Sequence, residues 1–230
     1  MNTAVIEPRW KDLYRLAGIA AIISMLIILL GLLTYFIWPY SPGAESTEDI
    51  LRLLQRDKLG GLVSLDIFLF IGNLFSMMLF LALYVSLKQV NESYALVSAA
   101  LGLVGLVLLI PARPIYELFT LSRLFSAATT EAAKNQYLGA GETLLLLFNG
   151  TSWFMNTLLG GISLLISSIL MLRSPLYSKA TAYVGIFTNA VVCGFFLPRI
   201  GIFLLFLSLP GYMIWYFLLA RRFFRMAKGY

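Results

Sequence analysis

Six long runs of apolar residues leave few folds open to this chain. The first run extends from Leu16 to Trp38 without a charged side chain. A run of about 18 or more apolar residues can cross a bilayer as a helix, whereas a signal-peptide core holds only about 7–15. We therefore interpret this run as a retained first span, with Tyr35, Trp38 and Tyr40 predicted to form an aromatic belt at its outer end.

The composition indicates the same class for the whole chain. Of its 230 residues, 60% are hydrophobic and 12% are charged, against about 45–50% and about 25% in soluble domains. We predict an all-α membrane protein, a six-transmembrane-helix bundle with short extracellular amphipathic helices, forming a single polytopic domain over residues 1–230. The predicted spans are approximately 16–38, 62–87, 94–117, 142–172, 180–197 and 202–220.

The distribution of charge predicts the orientation. With six spans, both termini lie on one side, and that side carries ten of the 17 Lys and Arg residues but three of the 11 Asp and Glu residues. Because basic residues favour the cytoplasmic side, we expect a cytoplasmic (inner) membrane protein with both termini in the cytoplasm. This bias accounts for the net charge of +6, so we expect the lipid bilayer, and no nucleic acid, as a partner. The basic residues are Arg9, Lys11, Arg15, Lys88, Arg173, Lys179, Arg221, Arg222, Arg225 and Lys228.

A short amphipathic helix is predicted over residues 46–58, on the outer side. Ile50, Leu53 and Leu54 share one face, and Ser46 with Asp49 has the spacing of a capping box. We expect this helix to lie on the membrane surface.

The stretch Ile110–Arg123 holds the most conspicuous charged pair of the apolar part of the chain. Arg113 and Glu117 are four residues apart and share a face if the helix continues. Pro111 and Pro114 lie beside them, and each removes a backbone donor and favours a kink.

Several polar residues are expected near the outer membrane boundary. About 20 helical residues cross a hydrocarbon core of roughly 30 Å, and this length, counted from the inner basic residues, places Asp66, Arg113 and Arg199 close to one plane. These groups are either interfacial ion pairs and hydrogen bonds or the lining of an outward-facing pocket, and both readings predict that they face the protein interior. The candidate ligand-binding residues are Asp66, Asn73, Arg113, Glu117, Asn149, Asn156 and Arg199.

The centre of the membrane is predicted to be uncharged. Asn189, about ten residues from Lys179, is the strongly polar residue at this depth, and we expect it to make an interhelical hydrogen bond. Glycines such as Gly102, Gly105 and Gly185 are expected to allow close helix approach. Because ion-coupled transport usually requires an acid at mid-membrane depth, this pattern argues against it.

The residue inventory excludes several chemistries. The chain has no histidine, which removes histidine-based metal, haem and catalytic sites. Its lysines lie outside the predicted spans, and the single cysteine, Cys193, cannot form an intrachain disulfide. We predict no catalytic residue, no metal and no cofactor, although an enzyme that uses the carboxylates of Glu117 and Glu142 remains conceivable.

Four segments resemble a family of six-span prokaryotic membrane proteins, a domain of unknown function. They are Tyr14-Arg-Leu-Ala-Gly18, the pair Arg113 and Glu117, Arg173-Ser-Pro-Leu-Tyr177, and the segment Gly211-Tyr-Met-Ile-Trp-Tyr-Phe-Leu-Leu-Ala-Arg221. The resemblance covers nearly the whole chain and implies a six-span fold, with no assigned activity.

We expect a membrane-embedded binding or accessory protein whose outward-facing polar pocket holds a small or lipid-like ligand or docks a membrane protein partner. The alternatives are a small-solute transporter and a structural subunit of a membrane complex. A cavity near Asp66, Arg113 and Asn149 would favour binding, whereas full pairing of the charges without a void would favour a structural role.

Overall fold

The structure, a computed structural model, describes residues 7–37, 46–148 and 150–229. Within these ranges the chain forms helices and turns and contains no strand. Six helical stretches are long and apolar enough to cross a membrane, at Pro8–Thr34, Ile67–Leu87, Glu92–Leu109, Glu131–Met171, Lys179–Phe196 and Gly201–Lys228. The predicted all-α fold with six spans is confirmed, and the chain is a multi-pass membrane protein. Trp38, Tyr40 and the side chain of Tyr35, on which the predicted aromatic belt depends, lie outside the described part.

The α-helices of the described ranges are numbered in chain order. They are α1 (Lys11–Ile37), α2 (Thr47–Arg56), α3 (Lys58–Ser64), α4 (Ile67–Leu87), α5 (Glu92–Leu109), α6 (Ile115–Ala127), α7 (Glu131–Phe148), α8 (Thr151–Met171), α9 (Lys179–Cys193) and α10 (Gly201–Lys228). Short 3-10 turns occupy Pro8–Trp10 and Gly194–Phe196.

The segment predicted as the second span, 62–87, is divided between two helices. α3 ends at Ser64 and α4 begins at Ile67. Between them Asp66 has a φ of 58°, which is the left-handed conformation. A single left-handed residue interrupts an α-helix, and Asp is one of the few residues with a side chain that tolerate it. The chain therefore bends at Asp66.

The segment predicted as the third span, 94–117, is also interrupted. α5 ends at Leu109 and α6 begins at Ile115. Pro111 and Pro114 lie in this interval; they cannot donate backbone hydrogen bonds, and their rings clash with a preceding helical turn. The continuous helix that would place Arg113 and Glu117 on one face does not form. Arg113 lies within the break, and Glu117 lies in the first turn of α6.

The chain divides into two compact units, each with its own contacts. Unit 1 comprises Met1–Ile28, Gly72–Val107 and Asn156–Tyr230. Unit 2 comprises Leu29–Ile71 and Leu108–Met155.

The core of unit 1 is formed largely by aromatic and small residues. Tyr14 of α1 stacks on Phe223 of α10, with ring centroids 6.2 Å apart. Tyr177 meets the same Phe223 ring edge-on, and its hydroxyl lies 2.7 Å from Ser86 Oγ. Trp215 is fully buried nearby in the same core. These contacts tie α1, α4 and α10 together close to the ends that carry the basic residues.

Small residues let the helices of unit 1 approach closely, as predicted. A Cβ at Gly185 would lie 2.3 Å from Ser168 Oγ and 2.4 Å from Trp215 Nε1, and one at Gly102 would lie 2.3 Å from the Phe80 ring. Such distances are far below van der Waals contact, so only glycine fits at these two positions.

Buried hydroxyl groups supply the polar contacts between α5 and α8. Ser98 Oγ donates to the Ser163 backbone carbonyl at 2.7 Å, and Ser163 Oγ donates to the Ser98 carbonyl at 2.5 Å. Ser167 Oγ lies 2.8 Å from Ser98 Oγ. Such reciprocal hydrogen bonds between the two helices satisfy polar groups where water is scarce.

The predicted interhelical hydrogen bond of Asn189 is present in the structure. Its side-chain nitrogen donates to the Gly185 carbonyl at 2.8 Å, and its side-chain oxygen accepts from the Tyr212 hydroxyl of α10 at 2.8 Å. The side chain is completely buried. The amide therefore links α9 to α10.

Unit 2 has a separate hydrophobic core in which α2 packs against α6 and α7. Ser46 Oγ accepts from the Asp49 backbone N–H at 3.2 Å and caps α2, as its spacing predicted. The apolar face of α2, with Ile50 and Leu54, is buried against the other helices of this unit. The prediction that this face lies on the membrane surface is wrong, because other helices of the protein cover it. The fully buried members of this core are Ile50, Leu51, Leu54, Leu65 and Leu118.

Candidate functional site: a buried arginine and an adjoining groove

Arg113 is the central polar residue of unit 2. Its side chain is 1% exposed. Nε and Nη2 donate to Oδ2 of Asp66 at 3.1 and 2.9 Å, and Nη1 donates to the backbone carbonyls of Ala112, at 2.8 Å, and Phe148. All three guanidinium nitrogens are therefore engaged within the protein.

These contacts join three points at which helices end. Asp66 lies between α3 and α4, Ala112 lies between α5 and α6, and Phe148 is the last residue of α7. Carbonyl groups at a helix C-terminus have no intrahelical partner, and a cation satisfies them well. Arg113 thus satisfies, with one side chain, acceptors that are 47 and 35 residues away in the sequence.

Two aromatic rings cover the guanidinium. Its carbon lies 4.1 Å from the centroid of the Phe148 ring and 5.7 Å from that of Trp153. Cation–π contacts at such distances stabilise a partly desolvated charge. They help to explain how a charged side chain is tolerated in the buried position of Arg113.

Asp66 is the anionic partner of Arg113, but it is less enclosed. Its side chain is 43% exposed. Burial raises the pKa of the Asp66 carboxyl above its ordinary value, and the Arg113 charge opposes this rise. The two groups form an ion pair, with Arg113 Nη2 2.9 Å from Asp66 Oδ2.

Beside Arg113 an open groove of about 620 Å³ runs along α6. This volume is within the range of about 300–1,000 Å³ typical of ligand sites. One wall is apolar, and the polar lining comes from the break before α6 and from α6 itself. The apolar lining residues are Leu62, Ile67, Phe70, Ile110, Ile115 and Phe119. The polar lining residues are Arg113, Tyr116, Glu117, Thr120 and Arg123.

A second open groove, of about 490 Å³, lies on the other side of a ridge on α6. Tyr116, Glu117 and Thr120 line both grooves, and the second is completed by Leu121 and by residues of α7. Glu117 is exposed on this ridge and makes no ion pair with any described residue. The pair that the four-residue spacing suggested, Arg113 with Glu117, is replaced by Arg113 with Asp66.

Arg123 and Thr120 were not among the predicted site residues, yet both line the groove. The signal was present in the sequence, because Tyr116, Thr120 and Arg123 are spaced four and three apart, as residues on one helix face are. Predicted membrane depth does not identify these two residues, because they lie further along the chain than Arg113.

The remaining predicted residues lie elsewhere. Asn73 donates to the Leu106 carbonyl at 2.9 Å, and Asn156 donates to the Gly105 carbonyl at 2.8 Å. Both bonds are within unit 1 and tie α4 and α8 to the same turn of α5.

Arg199 also belongs to unit 1, in the turn before α10. It is exposed and has a φ of 71°. Asn149 lies outside the described residues. Of the predicted set, the structure thus brings together Asp66, Arg113 and Glu117.

Within the described ranges, no three His, Cys, Asp or Glu side chains are grouped as a metal ion would require. The groove combines an apolar wall, a cation and an anion that have no ion-pair partner among the described residues, and the hydroxyl groups of Tyr116 and Thr120. Such a lining suits binding of an amphiphilic molecule. Comparisons with protein-family models, with curated proteins and with solved structures find no match to this chain.

Proposed function

We propose that the protein is a membrane-embedded binding protein whose groove along α6 takes up a lipid-like amphiphile. The observation that carries this proposal is the groove of about 620 Å³, whose lining combines apolar residues with charged ones. Ligand sites combine a mainly apolar lining with a few polar groups that fix orientation.

The apolar wall supports an occupant with an alkyl chain. Ile67, Phe70 and Ile110 lie next to or within the segments that are apolar enough to cross a membrane. A chain entering from the bilayer could contact them without leaving an apolar environment. Each CH₂ group removed from water is worth about 0.8 kcal/mol, so even a short stretch of chain would contribute substantially.

Because the charge of Arg113 is already paired with Asp66, we expect a ligand to bind in the groove beside Arg113 and not to pair with its guanidinium. Its guanidinium is saturated by Asp66 and two carbonyls, and it supports the wall of the groove. Small-solute transport receives less support, because the polar side chain expected at mid-depth, Asn189, is already bonded to Gly185 and Tyr212.

The test is photo-crosslinking with a phospholipid that carries a diazirine on its acyl chain. In the wild-type protein, labels should appear on peptides that contain Phe70 and Phe119. Ile110→Trp fills the groove and should abolish these labels. Val107→Trp is the matched control, because Val107 is also an exposed apolar residue, 63% against 53% for Ile110, but does not line the groove.

Labelling at these peptides that is equal in the two tryptophan variants would contradict ligand binding in the groove. Labelling spread evenly along all lipid-facing helices of the wild type would do so as well. Retention of a stoichiometric protein partner by the wild type, lost only in Ile110→Trp and without lipid labels, would instead favour docking of a membrane protein.

A further inference from the structure

Among the described residues, two charged side chains that line the groove have no partner of opposite charge. Glu117 and Arg123 are both exposed, and neither makes an ion pair within the part of the chain that the structure describes. The third charged residue, Arg113, is neutralised by Asp66. The groove therefore presents one open anion and one open cation.

Glu117 and Arg123 are badly placed to neutralise each other. They are six residues apart on α6, a rise of about 9 Å at 1.5 Å per residue. Side chains on one helix meet when they are three or four residues apart, and a spacing of six exceeds this. Each charge remains available to a molecule that occupies the groove.

We propose that the groove selects a lipid with a zwitterionic headgroup, whose ammonium group pairs with Glu117 and whose phosphate pairs with Arg123. The inference rests on the proposed function and adds the class of ligand. Its alkyl chain would contact the apolar wall of Ile67, Phe70 and Ile110.

Charge complementarity distinguishes this ligand from the other lipid classes. An anionic headgroup would pair with Arg123 but would leave Glu117 facing a like charge. A cationic headgroup would pair with Glu117 but would leave Arg123 facing a like charge. Hydrogen bonds between ionised partners are about twice as strong as neutral ones. A headgroup with both charges is the one that satisfies both side chains.

The test is a competition in vesicles that contain three diazirine lipids with the same acyl chains in equal amounts. The headgroups are phosphoethanolamine, phosphoglycerol and a quaternary ammonium without phosphate. For the wild-type protein, labelling of the Phe70 and Phe119 peptides should favour phosphoethanolamine about threefold over each of the others, as expected for one additional exposed ion pair.

Two neutralising variants should shift this preference in opposite directions. Glu117→Gln should raise the relative labelling by the phosphoglycerol lipid, because the repelling carboxylate is gone. Arg123→Gln should raise the relative labelling by the quaternary ammonium lipid. Glu142→Gln and Arg56→Gln are the controls: they remove the same charges from exposed positions on α7 and α2 outside this groove, and they should leave the preference unchanged.

The result that would overturn the inference is a wild-type protein without headgroup preference, or control variants that shift the preference as much as the groove variants. This failure is distinguishable from failure of the proposed function. If Ile110→Trp abolishes labelling while the headgroups remain equivalent, the groove binds amphiphiles without selecting zwitterions. If Ile110→Trp has no effect, the groove is not the binding site.

Discussion

Replacing Arg113 with methionine should cost this protein more stability than any other single change in unit 2 that the structure suggests. Methionine retains much of the apolar length of the side chain but removes the guanidinium. Asp66 and the carbonyls of Ala112 and Phe148 then lose their donor. The change tests whether the three helix breaks are held together by this residue.

The expected loss of unfolding free energy depends on how exposed each hydrogen-bond acceptor is. Asp66 is 43% exposed, so water can replace its partner and its share is about 1 kcal/mol. The two carbonyls at helix ends are less accessible, and each buried acceptor that is left unsatisfied costs about 1–3 kcal/mol. We therefore expect Arg113→Met to lower the free energy of unfolding by about 4 kcal/mol, within the range for removing one partner of a buried ion pair.

Asp66→Asn is the informative comparison. Arg113 would keep both carbonyls and both aromatic contacts, and the asparagine oxygen could still accept a hydrogen bond. Asparagine also tolerates the left-handed backbone at this position. We expect a loss of about 1–2 kcal/mol, no more than half of the loss in Arg113→Met.

The assay is reversible unfolding in mixed micelles of a mild detergent and sodium dodecyl sulfate, followed by tryptophan fluorescence. A double variant of Asp66→Asn and Arg113→Met should lose no more stability than Arg113→Met alone, because the carboxylate without a partner is gone. If Asp66→Asn proves as costly as Arg113→Met, the ion pair would be the main stabilising interaction, and the role assigned to the carbonyls would be refuted.

Three further outcomes are expected in unit 1. Gly185→Ala should lower the free energy of unfolding by at least about 2 kcal/mol in the same assay, because the added methyl group overlaps side chains of two neighbouring helices. Tyr212→Phe removes the donor to the buried Asn189 amide and should cost about 1 kcal/mol. The hydrogen bond from Lys88 holds the pKa of the Glu7 carboxyl below its ordinary value of 4.5, so the stability that Glu7 contributes is present above that pH and is lost as the pH falls through its lowered pKa. Glu7→Gln should remove this pH dependence, measured as unfolding midpoints between pH 3 and pH 6 (about 1.5 units either side of the ordinary carboxyl pKa).

The existence of the spans could be predicted from the sequence because it depends on local composition. The predicted fifth span, 180–197, agrees closely with Lys179–Phe196. The last helix starts where predicted but continues to Lys228, well beyond residue 220. Its basic tail keeps the helical conformation until Gly229, which ends it in the left-handed conformation with a φ of 91°.

The helix breaks and the partner of Arg113 could not be predicted in the same way. Apolar residues lie on both sides of Asp66, so nothing in the local pattern indicates a left-handed residue there. The contacts of Arg113 with Asp66 and Phe148 join residues that are distant in the chain. Similarly, the amphipathic pattern of α2 reveals an apolar face but not whether lipid or protein covers it.

Arg113 and Glu117 lie in different environments, although their four-residue spacing predicts that they form one pair. Spacing grouped them as one pair, whereas the structure places Arg113 in the interior with all its donors engaged and Glu117 on an exposed ridge of α6. Glu117→Gln should therefore change the free energy of unfolding by no more than about 0.5 kcal/mol, as is usual for a surface substitution. Measured beside Arg113→Met in mixed micelles, a loss of similar size in both variants would mean that the two side chains do form the four-residue pair. An unchanged stability for Glu117→Gln, combined with an altered headgroup preference, would assign Arg113 to folding and Glu117 to ligand binding.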